Sequence, residues 1–86
     1  MIRIKIDKRA EKQLNALPKR DFDYVVERIK QLEETFFPEG CKKLKGSGNY
    51  YRIRAGHYRI FYEIVNDKPI VIIIRIANRK KVYRNL

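Results

Sequence analysis

The chain is short of several things that small proteins commonly use. It has one cysteine, Cys41, in 86 residues, so no internal disulfide can form. Cys41 also has no neighbouring histidine or second thiol, which argues against a metal or nucleophile role. The longest aliphatic run, residues 70–74, is far too short to span a bilayer. The opening stretch "MIRIKIDKRA" lacks the apolar core of a signal peptide. These absences lead to the expectation of a soluble domain in a reducing cytoplasm, with no membrane partner. No P-loop, glycine-rich dinucleotide motif or carboxylate cluster for magnesium is present, so neither a metal nor a cofactor is expected. Repeats, low-complexity tracts and linkers are missing too, and residues 1–86 are read as a single domain.

The scarcest component of the second half is negative charge. Residues 1–41 carry nine Lys/Arg and eight Asp/Glu, whereas residues 42–86 carry twelve Lys/Arg against only Glu63 and Asp67. Nearly all of the net charge of +11 therefore sits in the back half. Such an imbalance implies a polyanionic partner, nucleic acid first, with an acidic protein or anionic membrane less favoured. The basic residues alternate along strand-like segments and form no basic amphipathic helix.

Periodicity gives the order of elements. Ile2, Ile4 and Ile6 alternate with Arg3 and Lys5, as in a short strand. Asp7 is placed to cap a helix whose stripe is Ala10, Leu14 and Leu17, ending at Pro18. Phe22, Val25, Val26, Ile29, Leu32 and Phe36 then recur at helical spacing until "FFPEG", where Pro38 and Gly40 stop the pattern. Beyond that point the chain reads as β: a short strand in "CKKLK", then strands near 50–55, 58–65 and 69–77. The run "IVIIIRIA", apolar on both sides, should lie at the centre of the sheet. The fold class is α+β, an N-terminal strand and two-helix hairpin packed on an antiparallel β-sheet.

Within the segment "YYRIRAGHYRIFYEI", Gly56-His57 reads as a two-residue hairpin turn. That register sets Ala55 opposite Tyr58, Arg54 opposite Arg59, and Arg52 opposite Phe61. Like charges directly opposite each other are destabilising. Strand alternation sends Tyr51, Ile53, Ala55, Tyr58, Ile60 and Tyr62 to the helix side, and Arg52, Arg54 and Arg59 to the other. A solvated charged face is one account of this cluster. The other is an anion site, in which phosphate sits among the guanidinium groups. By parity Arg75 and Arg79 share a side of their own strand and can approach that face. His57 is read as a turn residue, and Glu63 as the partner of Arg75 or a lysine in a local ion pair. Tyr50 and Tyr83 are the tyrosines left free of the core for base stacking.

At this point "KLKGSGNYYRIRAGHYRIFYEI" and "IVIIIRIANRKKVYRNL" together resemble the RelE/ParE superfamily of toxin–antitoxin systems, its RelE branch in particular. The resemblance spans essentially the whole chain. It implies a toxin that enters the ribosomal A site and cuts mRNA without a metal, neutralised by an acidic, RelB-like antitoxin. Carried onto this sequence, it implies catalytic roles for Arg52, Arg54, Arg59, Arg79 and Tyr83, with Lys43, Lys45, Arg75, Lys80 and Lys81 binding RNA around them. The implied reaction is attack of a ribose 2′-OH on the adjacent phosphate. Two departures from the family bear on it. Well-known RelE members carry lysine at the positions of Arg52 and Arg54, and many relatives carry histidine at that of Asn78. Arginine does not give up its proton, so Tyr83 is the remaining candidate base, with electrostatic catalysis as the alternative. A gyrase-binding ParE-like inhibitor and a non-catalytic RNA-binding homologue stay open as other readings. The nearly neutral helical front half is the expected antitoxin dock.

Overall fold

Each apolar stripe of the sequence becomes one element in the computed structural model, which describes residues 1–46 and 48–78. In chain order these are β1 (Arg3–Ile6), α1 (Lys8–Asn15), α2 (Lys19–Gln31), β2 (Lys42–Lys43), β3 (Tyr50–Ala55), β4 (Tyr58–Ile64) and β5 (Ile70–Asn78). The strands form one sheet in the order β1-β5-β4-β3-β2. Strands β2 to β5 make an antiparallel meander, and β1 joins its edge parallel to β5. The expected α+β architecture is present, with a mixed sheet where an antiparallel one was anticipated. Parallel pairing is possible because a long stretch of chain, both helices and then β2 to β4, separates β1 from β5. β5 is interior, as expected, although β4 occupies the middle position.

The core lies between the helices and one face of the sheet. Ala10, Leu14, Val25, Ile29 and Leu32 pack against Ile53, Ala55, Ile60, Tyr62, Val71, Ile73 and Ile76. Burying each large aliphatic side chain contributes about 1.5–3 kcal/mol, which a chain this small cannot spare. On β5 the core residues are Val71 and Ile73, then Ile76, so strict alternation fails once. A bulge makes the switch: Phe61 pairs with Arg75 and Tyr62 with Ile73, leaving Ile74 as the extra residue. Nearby, the side chain of Gln13 on α1 accepts a 2.7 Å hydrogen bond from the Ile76 backbone N–H.

Helix boundaries depart from the expectation in two respects. Asp7 sits at the start of α1 in an extended conformation, yet its side chain makes no capping hydrogen bond. α2 stops at Gln31, several residues before Pro38, and Leu32, Glu33 and Glu34 then close tighter turns onto residues three back. The early exit lets the Phe36 carbonyl accept a 2.8 Å hydrogen bond from the buried Tyr62 hydroxyl. The acid–base balance of the front half is also less a matter of contacts than it looked. Among the described residues the one ion pair is Lys19–Asp23, at 3.4 Å on the surface of α2. An exposed pair of this kind contributes little.

Candidate nucleic-acid interface

The site begins with the β3–β4 hairpin. Gly56 takes a φ of 62°, the left-handed value a two-residue turn requires at its first central position. A Cβ there would come within 3.3 Å of the Tyr24 ring on α2, so the tip is held close to the helix. The register is the one read from the sequence: Arg54 opposite Arg59, Arg52 opposite Phe61, Ala55 opposite Tyr58. His57 is exposed at the turn.

The meander extends this register into a patch of cations. Lys42 on β2 lies opposite Arg52, so a fourth cation joins Arg52, Arg54 and Arg59. These four and Gly40 line a cleft of about 330 Å³ that contains no carboxylate. Among the described residues none of the four is in an ion pair. Arg59 Nε is buried and, among the described residues, has no hydrogen-bond partner. An unmet N–H on a buried charged group costs on the order of 1–3 kcal/mol or more, a cost an anion oxygen within reach would offset. Chemically the cleft can concentrate positive charge on one phosphate and stabilise added negative charge on it.

Arg28 braces this cleft from α2. Its Nε donates to the Arg54 carbonyl (2.8 Å) and one Nη to the Glu39 carbonyl (2.9 Å), while the other Nη donates to Gln31 Oε1 (2.6 Å). One guanidinium thus ties the end of β3 to the loop that leads into Gly40 and Lys42. Behind the sheet, Tyr62 OH and Cys41 Sγ lie 3.0 Å apart. Burial first, then the Cys41 contact, pushes the Tyr62 phenol well above its ordinary value. Tyr58 OH donates to Asp21 at 2.9 Å, and burial followed by that bond raises its pKa as well. Both are packing tyrosines, as alternation indicated.

The other sequence-selected residues separate. Arg75 lies opposite Phe61 with its guanidinium 5.9 Å from the ring centroid, so it reaches the open face. Among the described residues the ion pair expected between Glu63 and Arg75 or a lysine does not form: the bulge places Arg75 beside Phe61, and Glu63 lies opposite Ile72 and Tyr50. Lys43 pairs with Tyr51 and takes the opposite side of the sheet from Lys42. Lys45 is exposed in the loop after β2. Arg79, Lys80, Lys81 and Tyr83 lie outside the described residues. Among those described, no three His, Cys, Asp or Glu side chains gather as a metal site, and no helix is long and apolar enough to cross a membrane. Sequence reasoning passed over Lys42, Gly40 and Arg28. Parity within "CKKLK" was a usable signal for Lys42; the contacts of Arg28 span 11 and 26 residues and leave no local trace.

A two-helix layer on a mixed five-stranded sheet, with a cationic cleft on its open face that is unpaired among the described residues, defines a small basic α+β domain. Comparison with known proteins makes this specific. The family model described as the ParE toxin of type II toxin–antitoxin systems (parDE) matches residues 4–83. The RelE1 protein of Methanocaldococcus jannaschii is 35% identical over 85 residues, covering 95% of this chain and 94% of that protein. The crystal structure of the archaeal RelE–RelB complex from Pyrococcus horikoshii contains a chain that superposes with a TM-score of 0.80 at 31% identity, covering 91% of this chain and 94% of that one. Isolated E. coli RelE superposes over 100% of both chains with a TM-score of 0.79 at 22% identity, a likeness of fold. The chain belongs to the RelE/ParE superfamily of toxins from type II toxin–antitoxin systems.

Proposed function

We propose that this toxin is a ribosome-dependent endoribonuclease that cuts mRNA in the ribosomal A site of the cytoplasm. The observation that carries the reading is the cleft of Lys42, Arg52, Arg54 and Arg59, with no carboxylate lining it and no ion pair among the four. Four cations are held together there against their own repulsion, which makes physical sense when a phosphate shares the charge. The 2′-OH of one ribose gives up its proton and attacks the adjacent phosphate, the P–O5′ bond breaks, and the 5′-oxygen leaves with a proton taken from water, giving a cyclic phosphate and a 5′-hydroxyl. Arg52, Arg54 and Arg59 stabilise the crowded anionic phosphorane. Arg79 supports the phosphate or the leaving oxygen. Tyr83 takes the 2′-OH proton, since a ring of arginines favours phenolate and arginine itself is no base. Lys45, Arg75, Lys80 and Lys81 bind the flanking RNA and the ribosome, while Lys43 leaves the β2 edge on the other side of the sheet and does not face the cleft. An acidic, RelB-like antitoxin is the neutralising partner, a reading supported by the archaeal relative crystallised with RelB.

The test is in vitro translation of a defined mRNA, with and without the purified chain, read by primer extension. Ribosome-dependent cuts that disappear with Arg59→Ala and Tyr83→Phe are expected. An intact message and uninhibited translation would overturn the reading. The match to the ParE family model favours one second reading, binding to DNA gyrase without cleavage. A supercoiling assay on the same preparation separates the two.

A further inference from the structure

The strand register divides the open face into rows. Lys5, Ile72, Glu63 and Tyr50 lie opposite one another across β1, β5, β4 and β3. The next row, two residues along β3 and β4, three along β5 because of the bulge, and about 7 Å away, is Arg75, Phe61, Arg52 and Lys42. Arg59 and Arg54 follow in the third. The face thus grades from a row with one cation, one carboxylate and two apolar or aromatic residues, through a row with three cations around Phe61, to Arg54 and Arg59 with Ala77 beside them. Its first row, with Ile74 and with Ile6 and Asp7 at the β1 end, lines a second depression of about 450 Å³.

Glu63 is the anomaly in this gradient. It is the only acidic residue in any of the five strands, it is half-buried, and among the described residues it has no ion-pair partner. A carboxylate so placed repels phosphate and accepts hydrogen bonds only. Beside it Tyr50 is 37% exposed, and Ile72 and Ile74 supply an apolar floor. Aromatic surface, apolar floor and an acceptor-only group, one row from the phosphate-binding cations, suit a base whose edge offers donors.

We infer that this depression is a nucleobase subsite that takes a guanine of the RNA strand whose backbone lies along the arginine cleft. The inference rests on the RNA-binding reading above. Tyr50 stacks on the base, and the two oxygens of Glu63 accept from guanine N1–H and the N2 amino group, which point the same way side by side. Uracil presents one N–H between two carbonyl oxygens that a carboxylate repels. Cytosine and adenine each pair one amino donor with a ring-nitrogen acceptor. Glu63 is therefore a specificity residue, and Arg52, Arg54 and Arg59 supply affinity without regard to sequence.

The test is fluorescence anisotropy with labelled single-stranded pentanucleotides at low salt: all uridine, uridine with one central guanosine, and uridine with one central inosine. Inosine keeps N1–H and lacks the N2 amino group. The wild-type chain is expected to bind the guanosine probe about tenfold more tightly than all-uridine, the scale of one bidentate base contact, with inosine between them. Glu63→Gln brings the ratio close to one. Tyr50→Ala weakens the guanosine probe, and Tyr50→Phe, which keeps the ring, restores it; thermal melting confirms that each variant folds. A wild-type ratio near one, or a ratio unchanged by Glu63→Gln, overturns the inference. So does a Glu63→Gln variant that keeps the ratio and loses its co-expressed antitoxin, because the depression is then a protein interface. The readout does not depend on cleavage. A chain that prefers guanosine but leaves messages intact sinks the nuclease reading alone, and one that cuts messages without preferring guanosine sinks the subsite alone.

Discussion

The two faces of the β3–β4 hairpin alternate residue by residue, yet they meet opposite physical demands. On the helix side, Ile53, Ala55, Ile60 and Tyr62 are essentially removed from water, and their neighbours are apolar or satisfy them with hydrogen bonds. On the open side, Arg52, Arg54 and Arg59 repel one another and, among the described residues, find no acid and leave one buried N–H unmet. A side chain on the first face is explained by what it touches inside the chain. One on the second is not explained by any contact among the described residues; in the proposed function it meets a phosphate. Stability and function are therefore separable here at a resolution of one residue, and four measurements can break or sharpen that separation.

The largest effect is expected on the packed face. Ile60→Ala should destabilise the fold by about 2–5 kcal/mol in urea unfolding, through lost burial and a cavity between sheet and helices. Next, Arg59→Ala on the open face should reduce message cleavage by about 10²–10³-fold in the translation assay, the scale for removing one donor to a developing anion. Its melting temperature should not fall. If stability drops instead, the arginine is a packing residue and the division of faces fails.

Tyr62→Phe is expected to cost about 1–3 kcal/mol, because the part-buried Phe36 carbonyl loses its donor. It also tests the pH dependence. Folding raises the phenol pKa of Tyr62, and of Tyr58, above the ordinary value of 10.0. The native state therefore holds these protons more tightly than the unfolded chain. Their contribution is complete below pH 10 and is lost as pH rises through the folded values. Alkaline unfolding should be visibly blunted in Tyr62→Phe, and an unchanged profile would remove the tyrosine from that role. The smallest effect is Arg54→Thr. Relief of the facing charges should stabilise the hairpin by about 0.2–1 kcal/mol. Loss of one phosphate contact should lower the salt slope of RNA binding by about one.

Much of the hairpin was legible beforehand. The Gly56-His57 turn, the facing Arg54 and Arg59 and the core placement of Tyr62 all follow from a period of two and a turn whose length sets register. The end of α2 was not legible, since the apolar spacing runs on to Phe36 while the helix stops at Gln31. Helical spacing reports which residues are buried, and Phe36 is partly buried against the core without being helical. Lys42 was passed over although parity within "CKKLK" separates it from Lys43, because its meeting with Arg52 depends on the pairing of β2 with β3 across a loop. Glu63 was assigned a partner that parity permits, and the bulge at Ile74 removed it.

Composition and alternation were enough to establish a basic, disulfide-free α+β chain whose hairpin carries its arginines on one face. They are local properties: side-chain direction in a strand repeats every second residue whatever lies next to it. Which charges meet across strands is another matter. Lys42 joins Arg52 through pairing in register, Arg75 turns to Phe61 through one inserted residue, and Arg28 closes the cleft through bonds to carbonyls far along the chain. Each depends on contacts between distant segments, whose geometry is settled only when the whole sheet closes over its helices.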